Sequence, residues 1–156
     1  MIERHEEGDH MIIRTVLAVA AIAIGVTAVA AQQDPIAARK ALMKANGQQA
    51  GIGGKMAKGE EPFALDKAKK IFTTYADSAA KAPALFPENS KTGGETRSLP
   101  AIWEKKDDFN AKLAKFGADA KAAEAATKDL DSFKAQYAEV QKNCGGCHQP
   151  YRRPQN

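Results

Sequence analysis

The sequence predicts an all-α protein, an antiparallel four-helix bundle built from residues 32–156. Three observations support this fold class. The segment is rich in Ala, Lys and Glu and has few runs of β-branched residues. Its apolar residues recur at steps of three and four, the spacing of one buried helix face. Proline- and glycine-containing segments divide the pattern into four stretches, and four amphipathic helices bury their apolar faces best as a bundle.

Capping residues and helix breakers set the expected helix ends. Asp34 and Pro35 provide a cap and a first-turn proline for the first helix. The Lys-Gly-Glu-Glu-Pro segment at 58–62 ends it, and residues 83–100 form a long irregular crossing. Thr127 or Asp129 caps the fourth helix. We therefore expect helices at 35–57, 65–82, 100–125 and 129–152, with Pro150 distorting the last turn.

Three helices each show a clear apolar stripe. The second helix contributes Leu65, Ala68, Phe72, Tyr75, Ala79 and Ala82, and the third contributes Ile102, Phe109, Leu113, Phe116, Ala120 and Ala123. The fourth contributes Leu130, Phe133, Tyr137, Val140, Cys144, Cys147 and Tyr151. Both cysteines thus occupy positions where core residues belong, so whatever they bind is expected to face the bundle interior.

These cysteines belong to the string Cys144-Gly145-Gly146-Cys147-His148, a C-x-x-C-H motif typical of c-type haem attachment. On a helix the two thiols and the imidazole fall within an arc of roughly 100°, so one face offers both thioether anchors and an iron ligand. A redox C-x-x-C would follow a βαβ pattern, and none precedes this motif. A structural zinc site usually needs four Cys or His ligands, and residues 32–156 contain only three. A structural disulfide is the remaining alternative. The motif favours covalently bound haem c.

The N-terminal 31 residues are expected to be a secretory signal peptide. Arg14 precedes an unbroken apolar and small-residue run at 16–31, which ends in a small-residue cleavage site after Ala30 or Ala31. The acidic residues before Met11 are unusual for a signal, and Met11 is the better initiator. An uncleaved anchor is the alternative, although the run is short for a span of about 20 residues. Bacteria attach haem c outside the cytoplasm, so the motif and the signal agree on a periplasmic protein.

Charge limits the partners of the mature chain. Without the first 31 residues it has 21 basic and 15 acidic residues, a net charge of +6. Such a chain either docks an acidic redox partner protein or is simply soluble. Scattered lysines in an exported chain argue against nucleic-acid binding. No membrane contact is expected after signal cleavage.

With the motif at the C-terminal end of four helices, the sequence resembles the class II cytochromes c, the cytochrome c-prime family and its low-spin relatives. The resemblance spans residues 32–153. It is carried by the segment from Cys144 to Arg152, Ile102-Trp103, Arg39 with Leu-Met-Lys at 42–44, and Lys-Gly at 58–59. Family members often pair through the first two helices, which leaves monomer and homodimer open.

The resemblance implies roles for several residues. His148 would be the proximal iron ligand, with Arg152 one turn further on. Arg39 matches a position beside the haem propionates, and Trp103 one near the haem edge. Alternatively, the two arginines are solvated surface residues and Trp103 is a core aromatic.

The sixth iron ligand is the open question. The mature chain has one histidine, which excludes two histidine ligands, and two methionines, Met43 and Met56. A methionine at the position of Met43 ligates iron in the low-spin relatives, whereas five-coordinate members have a bulky apolar residue there. Periodicity leaves a competing stripe through Leu42, Ile52 and Met56.

The resulting expectation is a periplasmic haem c electron carrier with His148 and Met43 on the iron. The alternative is a five-coordinate binding protein for nitric oxide or carbon monoxide. No enzyme is expected, because the mature chain's one histidine is assigned to iron and no Ser-His or Cys-His pair remains.

Overall fold

A computed structural model describes residues 34–154 of the chain. Its α-helices are α1 (Pro35–Lys58), α2 (Leu65–Lys81), the single-turn α3 (Ala101–Glu104), α4 (Lys106–Ala126) and α5 (Leu130–Tyr151). Two 3-10 turns, Ala82–Leu85 and Glu88–Ser90, lie in the crossing between α2 and α3. None of the described helices is long and apolar enough to cross a membrane. The expected signal peptide lies outside the described residues.

The four long helices form the predicted antiparallel bundle. α1 packs against α2 and α5, and α4 packs against the same two helices. Along the α2–α4 side, the Tyr75 ring lies 5.5 Å from that of Phe116, and Phe86, beyond the end of α2, lies 4.8 Å from Phe109. The partner positions on α4 thus move back from Phe116 to Phe109 as the chain moves forward from Tyr75 to Phe86, so α2 and α4 are antiparallel. The fold class predicted from periodicity is confirmed.

The expected third helix is broken at Lys105, which has φ −121° and ψ 48°. Trp103, just before the break, is buried and donates its indole N–H to the carbonyls of Phe86 and Pro87, each at 3.1 Å. Lys106, just after it, donates to the same Phe86 carbonyl at 3.0 Å. Contacts with the crossing therefore divide the segment into α3 and α4. Local propensity gives no sign of these contacts.

The other helix ends agree closely with expectation. Asp34 accepts from the Ile36 amide at 2.9 Å, and Gly59 ends α1 in the left-handed conformation at φ 78°. Asp129 caps α5 in a reciprocal capping box with Ser132. Pro150 lies within α5, and the helix continues through it to Tyr151. The amide of Arg152 still donates to His148 at 3.0 Å.

The buried side chains form two clusters. One contains Met56, Ala68, Ile71, Phe72, Tyr75, Ala76, Ala120, Ala123, Phe133 and Val140. The second contains Ala82, Phe86, Ile102, Trp103, Phe109, Leu113 and Tyr151, with Cys147 packed against it. The predicted stripes supply most of both, although Leu65 at the start of α2 is 37% exposed. The cysteine motif lies beside the second cluster, towards the end of α5.

The crossing is tied to the end of α5. Ser98 and Arg152 form an isolated antiparallel bridge. The Leu99 amide donates to Tyr151 at 3.0 Å, and the Arg153 amide donates to Arg97 at 2.8 Å. The segment just before α3 therefore lies directly beside the turn that carries His148.

Candidate haem site

Two adjoining cavities of about 410 and 310 Å³ open between α1, α4 and α5. Five side chains line both, namely Met43, Leu113, Cys147, His148 and Arg152. Ala82, Phe86, Ile102, Phe109 and Tyr151 complete the apolar wall of the larger one. Each volume lies in the usual range for small-molecule and cofactor sites, and the apolar lining with few polar groups is also typical.

The helical spacing of the motif presents its three chemical groups to these cavities. Cys147 and His148 line both cavities and Cys144 lines the smaller one. All three are half-buried, and both cysteines are free thiols. The structure thus brings both predicted anchors and the predicted ligand to one apolar space.

Burial sets the protonation of these groups. It raises the pKa of both Cys144 and Cys147, so the thiols remain protonated near neutral pH. A redox-active C-x-x-C needs the opposite shift, towards the thiolate. Burial, followed by the charges of Arg152 and Arg97, lowers the pKa of His148. A neutral imidazole is the form that binds a metal.

The two methionines occupy different environments. Met56 is fully buried in the first core cluster and lines neither cavity. Met43, on the other hand, is 39% exposed and lines both cavities together with His148. The second α1 stripe considered from periodicity therefore explains Met56 as core, whereas Met43 points to the site.

Arg39 is buried, with 5% of its surface exposed, and lines the larger cavity. Its guanidinium donates to the Leu85 carbonyl at 3.2 Å, to Ser90 Oγ at 2.9 Å and O at 3.0 Å, and to Thr96 Oγ1 at 2.7 Å. It also lies over the Phe86 ring, 4.9 Å from its centroid. Burial lowers its pKa, and Asp34 acts in the opposite direction. The alternative of a solvated surface arginine is wrong for Arg39.

For Arg152 and Trp103, the sequence left two interpretations open: a role at the haem, or an ordinary surface or core residue. Arg152 lines both cavities, as the resemblance implies, and is exposed, as the surface alternative requires. Trp103 is absent from the wall of either cavity. It belongs to the second core cluster, which fits a core aromatic.

Sequence reasoning missed several residues at the cavities. Arg97 in the crossing lines the larger cavity, and its side chain donates to the Arg153 carbonyl at 2.6 Å. Tyr75 and Gln141 line the smaller one, with Gln141 donating to the Tyr75 hydroxyl at 3.0 Å. Gln141 also accepts from the Cys144 thiol at 3.6 Å. Periodicity placed Tyr75 on the buried stripe of the second helix but not at the cavity, and an irregular crossing carries no comparable signal for Arg97.

The residues present fit a covalent haem c. Two thiols and an imidazole on α5 border an apolar space that Met43, on α1, also lines. The rival zinc reading lacks ligands, since no group of three or more His, Cys, Asp or Glu residues within 34–154 could hold a metal ion.

Comparison with known proteins agrees with this site. The family model described as Cytochrome C' matches residues 34–152. A cytochrome c' of Rhodopseudomonas palustris is 44% identical over 122 residues, covering 78% of this chain and 84% of that protein. A cytochrome c-556 of the same species is 35% identical over 147 residues, covering 90% and 97%.

A solved structure of cytochrome c' from Rhodopseudomonas palustris superposes with a TM-score of 0.77 at 42% identity. The superposition covers 80% of this chain and 100% of the solved chain. The chain therefore belongs to the cytochrome c' family, and its cofactor is covalent haem c.

Proposed function

We propose that this protein is a single-haem electron carrier in which His148 and Met43 would hold the iron. Haem iron supplies reversible one-electron chemistry, and a methionine ligand raises its potential. A coordination sphere filled in both oxidation states changes little on electron transfer, so little reorganisation accompanies it. Cys144 and Cys147 would be the covalent anchors.

The position of Met43 carries this proposal. Of the two methionines in the described residues, Met43 alone borders the space that His148 borders. A methionine serving only as core filler would be expected to be buried, as Met56 is. Met43 instead lies on the cavity wall with 39% of its surface exposed. A ligand role accounts for a flexible apolar side chain at this partly exposed position.

The remaining wall residues would tune and protect the site. Leu113, Phe109 and Phe86 keep water from one side of the space. Arg39 places a buried positive charge at the larger cavity, which suits a carboxylate of haem c. All four Arg39 hydrogen bonds go to neutral oxygens, and Asp34 acts on its charge without forming an ion pair, so a bound anion would compensate that charge more fully.

A second function, binding of nitric oxide or carbon monoxide, is favoured by the small residues near Met43 on α1. Gly47 follows Met43 by one helical turn and, like Ala50, lines the same smaller cavity. If Met43 does not ligate iron, or leaves it readily, these two residues would offer a diatomic ligand little steric hindrance.

Absorption spectra of the purified holoprotein distinguish the two functions. We expect low-spin spectra in both oxidation states. Met43→Leu, which keeps the volume and removes the thioether, should become high-spin and bind carbon monoxide rapidly. Met56→Leu is the matched control and should remain low-spin. A high-spin parent protein, or an unchanged Met43→Leu spectrum, would exclude Met43 as a ligand.

We also propose that the protein works in the periplasm. The support is the predicted signal peptide at 1–31 together with covalent haem c, which bacteria attach outside the cytoplasm. N-terminal sequencing of the exported protein should find a start near Gln32. A start before Met11 would contradict this.

A further inference from the structure

The side chains that line the two cavities of the haem site carry many more positive than negative charges. Six basic residues line them, namely Arg39, Lys40, Lys44, Arg97, Lys112 and Arg152, and the one lining carboxylate is Glu95. Residues 34–154 contain 21 basic and 15 acidic residues in all. Away from the cavities, 15 basic residues therefore face 14 acidic ones. Of the net six positive charges of residues 34–154, a net five therefore come from side chains that line the two cavities.

Several of these charges have no ionic partner. Lys40 pairs with Glu95 at 3.5 Å and Lys112 with Asp108 at 3.8 Å. Lys44, Arg97 and Arg152 make no ion pair within residues 34–154. We call these three residues the open basic patch. They come from α1, the crossing and the end of α5, so only the folded chain brings them to one rim.

Haem c alone does not account for this charge. Its two propionates and Asp108, which pairs with Lys112, offset three of the net five positive charges at the cavities, and about two remain. Like charges gathered on one rim repel each other, so stability alone does not favour the arrangement. A surface that meets an acidic partner benefits from it, because complementary charge guides encounter and orientation.

We propose that the open basic patch is the docking surface for a redox protein with an acidic face. The proposal rests on the electron-carrier function and names the class of partner and the surface that it uses. Docking here would bring the partner to the rim of the space that His148 and Met43 border. Electron exchange would then occur at that rim, with the partner held by charge rather than by a large apolar contact.

The test uses a matched pair of charge variants of the holoprotein. Lys44→Gln/Arg97→Gln removes two charges from the patch. Lys67→Gln/Lys134→Gln removes two exposed charges that line neither cavity. The net charge changes equally, so any difference between the variants reports where the charge lies.

The probe is a reduced acidic flavodoxin mixed with the ferric holoprotein in a stopped-flow instrument. One electron passes, so the flavodoxin is oxidised by one electron and the iron is reduced to ferrous. At low ionic strength the patch variant should react about 3- to 10-fold more slowly than the parent, within the range of electrostatic steering. The control variant should change less than 2-fold. Near 1 M salt the three rates should converge, since the screening length falls to about 3 Å.

Equal slowing of both variants would overturn the proposal, because net charge rather than the patch would then set the rate. Loss of binding to phosphatidylglycerol vesicles in the patch variant, with an unchanged flavodoxin rate, would overturn it in favour of a membrane surface. Failure of the electron-carrier function looks different: the parent would be high-spin and would react slowly even with a small uncharged reductant.

Discussion

Replacing Arg39 with Met tests how the crossing is held against the bundle. Arg39 lies on α1, and its four hydrogen-bond acceptors lie in the crossing, 46 to 57 residues further along the chain. Met fills a similar volume with no donor. The substitution therefore removes the four hydrogen bonds and the buried charge while keeping most of the packing beside Phe86.

The expected cost follows from which acceptors keep another partner. Ser90 Oγ still donates to the Pro87 carbonyl at 2.9 Å, and Thr96 Oγ1 still accepts from the Ser98 amide at 3.2 Å. The carbonyls of Leu85 and Ser90 lose the bond that Arg39 donates. At about 1–3 kcal/mol for each buried acceptor left unpaired, and with some relief from no longer burying a charge, we expect a loss of about 2–4 kcal/mol.

Urea unfolding of the holoprotein, followed by circular dichroism, measures this loss. The control is Lys40→Met, one residue away, which removes an exposed ion pair with Glu95 worth about 0–1 kcal/mol. The slope of free energy against urea should be the same in both variants, because the surface exposed on unfolding is similar. If Arg39→Met costs no more than Lys40→Met, the tie between α1 and the crossing is not a stabilising element.

Two further predictions concern packing and pH. A side chain added at Gly53 would collide with the Tyr137 ring, so Gly53→Ala should cost about 1–3 kcal/mol of unfolding free energy, whereas Gly51→Ala meets open space and should stabilise α1 by up to about 1 kcal/mol. Urea unfolding compares the two, and equal effects would refute the close approach. Burial raises the pKa of Tyr75, and burial with a hydrogen bond to Asp108 raises the pKa of Tyr151 to about 12. Tyrosines in the unfolded chain ionise near pH 10, so the contribution of these two tyrosines to stability should be constant below pH 10 and fall between pH 10 and 12. Tyr75→Phe should reduce that fall, and an unchanged pH profile would count against it.

The fold was predictable because its main signals are local. The three–four spacing in α5 places Cys144 and Cys147 on the stripe that contains Phe133 and Val140. The capping box of Asp129 and Ser132 likewise spans only four residues of sequence. Such patterns depend on neighbours along the helix, and they survive tertiary packing unchanged.

The missed features depend on contacts between distant segments. The break at Lys105 follows from bonds between Trp103 and the crossing, about 16 residues earlier in the chain. The burial of Arg39 depends on partners even further away. At the site, the choice between Met43 and Met56 could not be made from periodicity, since each fits one of two stripes on α1. Only the placement of both in three dimensions separates core from cavity wall.

The bridge between the crossing and the end of α5 bears on how firmly the haem site is held. Helix ends ordinarily open first, and His148 lies only three residues before the end of its helix. Here Leu99 and Arg153 donate to Tyr151 and Arg97, so the last turn is secured by backbone bonds from outside the helix. Opening that turn requires the crossing to detach as well. The free energy of local opening at His148 is thus coupled to a segment about fifty residues away. His148 should therefore open less readily than a residue at an ordinary helix end.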